Sequence, residues 1–298
     1  MSDHATDPAT EAFVAHRNLL FTVAYEMLGS AADAEDVLQE TWLRWAKVDL
    51  EQVTDQRAYL VRITTRQSLN RLRTMKRRKE AYVGSWLPEP LLTAPDVAED
   101  VELAESVSMA MLLVLETLRP TERAVFVLRE VFDVGYDEIA AAVDKSPAAV
   151  RQIAHRARRH VDARRPRETV SPSDTRAVMD SFRRAIETRD LQGLLEVLAP
   201  GVVLVGDGGG VKQAAPRPVI GADKVARFGL GGLGKAEGVI TCEPTVVNGN
   251  PALVMRLNGE IDGVMAIRVE DARITGLYYV RNPEKLTRVE SETPLTLR

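Results

Sequence analysis

Residues 135–161, GYDEIAAAVDKSPAAVRQIAHRARRHV, have the pattern of two short helices joined by a tight turn. The spacing of apolar residues predicts a first helix over Tyr136–Val143. A second helix is predicted to start after Ser146, which is a favourable N-cap. Pro147 then occupies the first helical position, where its missing N–H costs nothing. The stretch therefore predicts a helix-turn-helix.

The second helix of this motif is basic on one side. Val150, Ile153 and Ala157 recur at helical spacing and are expected to face inward. The side chains expected to face outward are Arg151, Gln152, His155, Arg156 and Arg159. Such a helix fits the DNA major groove, with its first residues at base edges and its later arginines on phosphates. A solvated basic hairpin in an unrelated helical domain is the alternative interpretation.

Length and composition limit the classes of protein to consider. A chain of 298 residues is long enough for two or three domains. No stretch approaches the ~20 apolar residues of a membrane-spanning helix, and the N-terminal residues lack the pattern of an export signal. Cys242 is the only cysteine, which excludes an internal disulfide framework and a multi-thiolate zinc site. We therefore expect a cytoplasmic protein with no membrane segment, no metal and no cofactor.

Charge is unevenly distributed along a chain whose formal net charge is −4. Residues 57–79 contain many basic and no acidic side chains, and 151–167 are interrupted by the single acid Asp162. Acidic residues concentrate instead at 33–40 and 96–105. Two separated basic blocks indicate two nucleic-acid contacts. Neutralisation between domains is a second interpretation, and the two are compatible.

The first 80 residues have the apolar periodicity of helices. Helices are predicted over Glu11–Leu28, over Ala31–Lys47 with Ser30 as N-cap, and over 55–79. In the second helix, the side chains expected to be buried are Val37, Leu38, Trp42 and Trp45. Those expected to be exposed are Asp33, Asp36, Gln39, Glu40 and Arg44. In the third helix the arginines should face out, and the expected core residues are Tyr59, Leu60, Ile63, Leu69 and Leu72.

Residues 81–105 contain three prolines and no long periodicity, which predicts a linker. Free linkers rarely expose large apolar side chains, so the segment WLPEP at 86–90 is expected to dock on another part of the protein. Helices are predicted to resume over Met109–Leu118 and Thr121–Phe132. A second linker is predicted over 164–173.

The remaining part of the chain changes from helical to strand-like patterns. Helices are predicted over Asp174–Arg189 and Leu191–Leu198. The predicted strands are Val202–Val205, Val239–Val247, Ala252–Leu257, Gly263–Val269 and Ile274–Val280. Gly206–Gly210 and Gly229–Gly234 are predicted to be flexible loops. Helices followed by a meander favour an α+β domain with its helices against one antiparallel sheet.

Several motifs resemble those of extracytoplasmic-function (ECF) sigma-70 factors, the smallest class of bacterial promoter-recognition subunits. They are DAEDVLQETWL at 33–43, AYLVRI at 58–63 and LRPTER at 118–123, followed by the helix-turn-helix. Three more resemble the subgroup that carries a fused SnoaL-like domain of the NTF2-like cone fold: WLPEP at 86–90, DGGG at 207–210 and NPEKL at 282–286. In that subgroup a lysine follows the glycines directly, whereas here Val211 precedes Lys212. The resemblance covers nearly the whole chain.

The resemblance implies two all-α sigma domains, the second with a helix-turn-helix, followed by an α+β SnoaL/NTF2-like cone. The expected boundaries are 1–80 for region 2, 81–105 for the linker, 106–166 for region 4 and 174–290 for the cone. The implied function is promoter-specific transcription initiation, without enzymatic activity. The implied partners are core RNA polymerase, through its β′ clamp and β flap, and promoter DNA.

The resemblance also assigns roles to side chains. Polymerase binding is implied for Asp36, Gln39, Glu40 and Arg44. At the −10 element, unpaired bases must be held out of the stack, which requires cationic tracks and a group at a base edge. Arg62, Arg66, Arg71 and Arg73 suit the phosphates and Asn70 suits a base, with loop 48–54 as pocket wall and Lys76–Lys79 in generic phosphate contacts. The −35 element is assigned to the exposed face of the helix-turn-helix.

We expect the cone to regulate rather than to catalyse. No histidine follows His160, and Asp207, Glu260 and Asp262 lie where turn residues are expected anyway. The glycine loop allows close backbone approach to the Trp86 segment. The residues expected to form an interdomain regulatory site are Trp86, Leu87, Pro88, Asp207, Gly208, Gly209, Gly210, Asn282 and Pro283. A small ligand of the cone is left open.

Two other functions fit parts of the sequence. One is a SnoaL-like enzyme or ligand-sensing domain fused to a DNA-binding regulator. The other is an ordinary helix-turn-helix repressor or activator with a ligand domain. Binding to core polymerase discriminates against the second, because such regulators do not replace the promoter-specificity subunit.

Overall fold

Helices form the regular structure up to residue 164, and helices with a six-stranded sheet form it from residue 172 onward. The computed structural model describes residues 7–94, 101–164, 172–235 and 238–297. The chain divides into two units. The first comprises Met1–Glu80, Leu112–Arg165 and Pro294–Arg298, and the second comprises Ala81–Met111 and Pro166–Thr293. Parts of both predicted linkers, 95–100 and 165–171, lie outside the described residues.

The helices before residue 165 follow the predicted order. They are α1 (Pro8–Leu28), α2 (Ala31–Trp45), α3 (Gln56–Glu80), α4 (Val101–Ser106), α5 (Met109–Glu116), α6 (Pro120–Phe126), α7 (Tyr136–Val143) and α8 (Pro147–Asp162). Gly29 ends α1 with a left-handed φ of 68°. Ser30 then caps α2 by accepting a hydrogen bond from the Asp33 N–H at 3.2 Å. These local signals explain why the predicted boundaries lie close to the observed ones.

Two sequence predictions in this part are wrong in detail. Trp42 is half-buried against Phe13, with ring centroids 5.3 Å apart, rather than a core residue. The helix predicted over Thr121–Phe132 is α-helical only to Phe126 and continues as a π-helix over Val127–Val131. Trp45 is buried, because its indole N–H donates to the Ala9 carbonyl oxygen at 2.7 Å.

The second unit packs helices against one face of a sheet. Its elements from residue 172 are α9 (Pro172–Thr188), α10 (Leu191–Val197), β1 (Leu198–Asp207), β2 (Val219–Ile220), α11 (Ala222–Lys235), β3 (Ile240–Val247), β4 (Asn250–Leu257), β5 (Glu260–Glu270) and β6 (Arg273–Val280). The strand order is β2-β1-β6-β5-β4-β3. Phe182 and Ile186 of α9 share an apolar core with residues of β1, β5 and β6. The α+β cone predicted from the sequence is confirmed.

The sheet is mixed, which corrects the prediction of an antiparallel sheet. Strands β3 to β6 form the expected antiparallel meander. Strand β1, however, runs parallel to β6, with Leu204 opposite Leu277. A parallel pair needs a long crossover. Here β2, α11 and the meander supply it, a connection that a strand-by-strand pattern does not reveal.

The two glycine-rich segments predicted as loops are not both loops. Gly229 to Gly234 lie inside α11, where Val225 and Ala226 pack into the core. Burial of that face outweighs the low helix propensity of glycine. Gly206 and Asp207 end strand β1 rather than starting a loop, and the chain turns at Gly209 and Gly210, where φ is 63° and 74°.

Candidate nucleic-acid interface and linker-binding site

Helix α8 presents the residues predicted for the −35 element on one face. All five are exposed, namely Arg151, Gln152, His155, Arg156 and Arg159. On the opposite face, Val150, Ile153 and Ala157 are buried. Ser146 caps the helix, as predicted, by accepting a hydrogen bond from the Ala149 N–H at 3.3 Å. The polar side chains therefore project from one side of a well-anchored helix.

Tyr136, at the start of α7, lies beneath two arginines. The guanidinium carbons of Arg129 and Arg151 are 5.0 and 5.4 Å from its ring centroid. A cation–π contact of this kind contributes about 0.5–1 kcal/mol at an exposed site, enough to favour one orientation of Arg151. The sequence analysis missed this residue, although an aromatic side chain at the start of the first helix was a readable signal.

Helix α3 carries the residues predicted for the −10 element, and several have partners within the first unit. The Arg62 guanidinium lies 4.6 Å from the Tyr59 ring centroid. Arg66 donates to the carbonyl oxygens of Ala141 at 2.7 Å and Ala142 at 3.4 Å, both on α7. Arg66 must exchange these carbonyls for phosphate oxygens if it is to bind DNA.

Asn70 and Arg73 form an exposed pair on α3. The Arg73 guanidinium donates to the Asn70 side-chain oxygen at 3.1 Å. Both residues are exposed. The carboxamide N–H₂ group of Asn70 is the part of that side chain left for a base edge.

Asp33 is 3% exposed, which corrects the prediction that it faces solvent. Arg71 donates to its carboxylate at 2.7 Å, and Arg78 does so at 3.3 Å. Arg71 also bonds Asp36. Burial opposes the charge of Arg71, but hydrogen bonds to Asp33 outweigh it and raise the pKa of the guanidinium. The basic side of α3 is thus partly neutralised by α2, the internal neutralisation that charge segregation left open.

The residues predicted to bind polymerase lie on the outer face of α2. Asp36, Gln39, Glu40 and Arg44 are all exposed. Leu43, which the sequence analysis did not select, is 56% exposed beside them. The face is therefore polar with an apolar side chain within it, a composition suited to a protein interface.

A buried ionic group joins several helices of the first unit. Arg123 is 2% exposed and donates to the Glu26 carbonyl oxygen at 3.0 and 2.7 Å. It also pairs with Glu116 at 2.7 Å, and Lys79 pairs with the same carboxylate at 2.5 Å. Burial would raise the pKa of Glu116, but Arg123 and Lys79 outweigh it and lower the pKa. Lys79, predicted as a generic phosphate contact, is engaged inside the protein.

Asp207 is the centre of a site in the second unit that holds the linker. Its carboxylate is fully buried. It accepts hydrogen bonds from the Tyr82 hydroxyl, from the Leu87 N–H at 2.9 Å, from the Gly209 N–H at 3.1 Å and from the Lys285 ammonium at 2.7 Å. Two of these donors belong to the linker, so the end of β1 binds the linker directly. We call this cluster the linker-binding site.

Lys285 is the cation of the linker-binding site. Its ammonium also donates to the Leu87 carbonyl oxygen at 2.7 Å, and it lies 3.4 Å from the Trp86 ring centroid and 4.9 Å from that of Tyr82. A buried ion pair is tolerated when further hydrogen bonds satisfy its charges. The sequence analysis quoted Lys285 within NPEKL but did not select it or Tyr82, which precedes Trp86 by four residues.

Asn282 connects the NPEKL motif to the linker. Its side-chain oxygen caps the short helix Pro283–Lys285, and its N–H₂ group donates to the Tyr82 hydroxyl at 2.8 Å. Burial, followed by the bond to Asp207, raises the pKa of Tyr82, so the phenol keeps its proton and donates. Asn282 is buried and Pro283 is exposed.

The glycines after Asp207 are required by close packing. A Cβ on Gly208 would lie 1.9 Å from the Lys212 carbonyl oxygen, and one on Gly209 would lie 2.4 Å from the Asn282 side chain. Gly210 comes close to Val83 of the linker, where a Cβ would be 3.2 Å away. The DGGG motif therefore allows the contact between the linker and the cone, as the sequence analysis expected for this segment.

The linker continues along the sheet beyond the WLPEP segment, in which Leu87 and Pro88 are buried and Trp86 is half-buried. Leu91 and Asn248 exchange two hydrogen bonds, at 3.0 and 2.9 Å. The Thr93 N–H donates to the Val246 carbonyl oxygen at 3.1 Å. The Leu91–Asn248 and Thr93–Val246 bonds extend the β3 edge of the sheet, so most of 82–93 is bound rather than free.

An apolar cavity of about 560 Å³ lies within the cone. Its apolar wall includes Phe182, Ile186, Leu194, Leu204 and Leu277. Four polar residues, Lys212, Asp262, Tyr279 and Arg281, also line it. Although Val211 displaces Lys212 by one position from the expected motif, the lysine side chain reaches the cavity, and Val211 is 72% exposed.

Asp262 accepts hydrogen bonds from the other three polar residues of the cavity. Lys212 and Arg281 donate to one oxygen at 3.0 and 2.8 Å, and the Tyr279 hydroxyl donates to the other at 2.8 Å. Burial would raise the pKa of Asp262, but these donors, Arg281 first, lower it to about 2. A general base works best with a pKa near the operating pH, so this carboxylate is a weak proton acceptor.

Other kinds of site were examined over the part of the chain that the structure describes. There, no group of three or more His, Cys, Asp or Glu side chains is arranged to hold a metal ion. Within the same residues, none of the helices combines the length and apolarity that a bilayer crossing requires.

Known proteins resemble this chain over nearly its full length. Sigma-70 region 2 matches residues 12–78 and sigma-70 region 4 matches residues 108–161. The ECF RNA polymerase sigma factor SigJ of Mycobacterium tuberculosis is 37% identical, over 92% of each chain. A probable ECF sigma factor, SigI, of the same species is 33% identical, over 98% of this chain and 99% of its own. The crystal structure of SigJ aligns with a TM-score of 0.74 at 34% identity, covering 96% of this chain and all of that one.

Proposed function

Because the chain belongs to the ECF RNA polymerase sigma factors, which direct promoter-specific transcription initiation, we propose that three helices divide this function. The outer face of α2 binds core polymerase, α3 handles the −10 element and α8 reads the −35 element. Region 2 extends over 1–80, the linker over 81–105, region 4 over 106–166 and the cone over 174–290. The protein acts in the cytoplasm, where it meets the polymerase.

The proposed polymerase surface is the set Asp36, Gln39, Glu40 and Arg44 against the β′ clamp, with region 4 against the β flap. The exposure of all four side chains on α2 supports this assignment. Mixed charges on one face steer association and fix its register, and exposed Leu43 adds apolar area.

The proposed −35 contacts are Arg151, Gln152, His155, Arg156 and Arg159. Their common exposed face supports the assignment, and arginine suits guanine edges while glutamine suits adenine. The proposed −10 contacts are Arg62, Arg66, Asn70, Arg71 and Arg73. Of these, Arg66 and Arg71 must first release Ala141 and Asp33, so binding at −10 requires a change of partners within the first unit.

We further propose that the cone regulates transcription by holding the linker. The observation that carries this proposal is the buried Asp207 carboxylate with its four donors, two of them from the linker. The linker connects region 2 to region 4, so its capture limits the span that the two DNA-binding regions reach together. The regulatory site comprises Trp86, Leu87, Pro88, Asp207, Gly208, Gly209, Gly210, Asn282 and Pro283, to which we add Tyr82 and Lys285.

The cone is proposed to be non-catalytic. The low pKa of Asp262 supports this, because its three donors hold it as an unreactive anion at neutral pH. Glu260, the other acid considered, is exposed at the start of β5. A SnoaL-like enzyme fused to a DNA-binding regulator is the alternative, and turnover by the full chain would establish it.

Run-off transcription with purified core polymerase tests the proposal. The full chain should confer start-site selection, and Asp207→Asn should alter the yield of transcript because it removes the charge that holds Lys285. Limited proteolysis over 81–94 should show faster cleavage in this variant. The matched control is Asp223→Asn, an exposed carboxylate paired with Arg227 on α11. Unchanged transcription and proteolysis in Asp207→Asn would refute the regulatory role, and no start-site selection by the full chain would refute the three-helix assignment.

A further inference from the structure

The cavity in the cone has a large apolar part and a small charged part. Its volume of about 560 Å³ is within the range of small-molecule sites, roughly 300–1,000 Å³. Phe182 and Ile186 of α9 and Leu277 of β6 contribute to the apolar wall. Such a wall fits the hydrocarbon body of a ligand and gives no reason for the charged residues.

The charged part of the cavity has an excess of positive charge. Lys212 and Arg281 share the single carboxylate of Asp262. Two further arginines in the lining have carboxylates of their own, since Arg227 pairs with Asp223 and Arg256 pairs with Glu243 and Glu290. One positive charge of the Lys212–Arg281 pair is therefore not balanced by Asp262.

Arg281 also has an unused hydrogen-bond donor. Among the described residues, the Nε atom of its guanidinium is buried without a hydrogen-bond partner. Its other nitrogens donate to the Gln213 carbonyl oxygen and to Asp262. Buried donors are nearly always paired, so an unpaired donor on a cavity-lining cation calls for an acceptor.

These observations deepen the regulatory role proposed above for the cone. We propose that the cavity binds an amphiphilic small molecule with an apolar body and a single anionic headgroup of the carboxylate type. The apolar wall buries the body, and the headgroup accepts hydrogen bonds from Arg281 and Lys212. Asp262 positions both cations and limits the headgroup to one charge, because a second negative charge would not be balanced.

The test compares matched acids and alcohols by isothermal titration calorimetry on the full chain, without polymerase or DNA. The probes are decanoic acid with decan-1-ol, and 2-naphthoic acid with 2-naphthalenemethanol. At least one acid should bind, and about tenfold or more tightly than its alcohol, since a charged hydrogen bond is lost in the alcohol. Binding of neither acid, or equal binding of acid and alcohol, would overturn the proposal.

Variants locate the headgroup. Lys212→Gln should weaken binding of the acid about tenfold and leave the alcohol unchanged. The control is Lys224→Gln, an exposed lysine on α11 outside the cavity lining, which should behave as the unmodified chain. Arg281→Gln is a second variant, checked for folding by its thermal midpoint. Equal effects of Lys212→Gln and Lys224→Gln would place the headgroup elsewhere. Because binding is measured directly, its failure is distinguishable from a failure of the linker to regulate transcription.

Discussion

On α8 the arginines at 151, 156 and 159 are exposed on one face, whereas in the linker-binding site Lys285 is buried against Asp207, Leu87 and Trp86. The exposed cations keep donors available for an outside anion. The buried cation has used its donors within the protein. The same charge on a side chain therefore serves recognition in one region and structure in the other, and burial separates the two.

Helix α3 combines both kinds of cation. Arg73 is exposed beside Asn70, while Arg71 is paired with the buried Asp33. The two arginines are two residues apart, so α3 offers an internal test of the distinction between cations that bind DNA and cations that hold the protein together.

The largest effect on stability is expected at the most buried cation of the first unit. Arg123→Met should lower the free energy of unfolding by about 3–5 kcal/mol, because it leaves Glu116 and the Glu26 carbonyl without this donor. Urea unfolding followed by circular dichroism measures it. The control is Arg119→Met on the same segment, an exposed arginine. Equal unfolding midpoints for the two variants would show that Arg123 is not structural.

The next effect concerns recognition rather than stability. Replacing Arg151 and Arg156 together with Ala should abolish transcription from the cognate promoter, since each arginine at a base edge contributes about 1–3 kcal/mol of discrimination. Polymerase binding and the thermal midpoint should not change, because both side chains are exposed. Electrophoretic mobility shift and polymerase pull-down measure these quantities, with Lys224→Ala as control. Loss of polymerase binding would refute the assignment of α8 to DNA.

A smaller effect is expected at Arg71. Arg71→Ala should destabilise the protein by about 1–3 kcal/mol, because buried Asp33 loses a charged donor and retains only Arg78 among its arginine partners. The thermal midpoint measures this loss. A variant as stable as the unmodified chain would mean that Arg71 is as free as Arg73.

The smallest effect is expected at Arg73. Arg73→Ala should leave the thermal midpoint unchanged and reduce the slope of log binding constant against log salt concentration by about 1, the signature of one lost phosphate contact. Fluorescence anisotropy over a salt series with a promoter fragment measures the slope. An unchanged slope would remove Arg73 from the −10 set and weaken the contrast with Arg71.

The sequence predicted helices and strands well where local signals were strong. Ser30 and Ser146 cap the helices that they were expected to cap. The apolar face of α8 follows from spacing alone. The prediction failed where packing overrode local preference, as at the glycines in α11, and where strand order depended on distant segments, as in the parallel pairing of β1 with β6.

The candidate sites divide in the same way. The −35 set could be read from the sequence because it lies on one helix with a period of 3.6 residues. The linker-binding site could be named only as motifs, since Tyr82, Asp207 and Lys285 are separated by more than 70 residues at each step. The burial of Asp33 was missed because its partners, Arg71 and Arg78, lie on another helix.

By itself the sequence determined the family, the order of the domains and the exposed face of α8, because motifs, caps and periodicity act over a few neighbouring residues. Only the tertiary structure decided which charges are buried, which partners they take and where a cavity remains. Those outcomes depend on solvent exclusion and on close approach between distant segments, and a charged side chain carries no local mark of either.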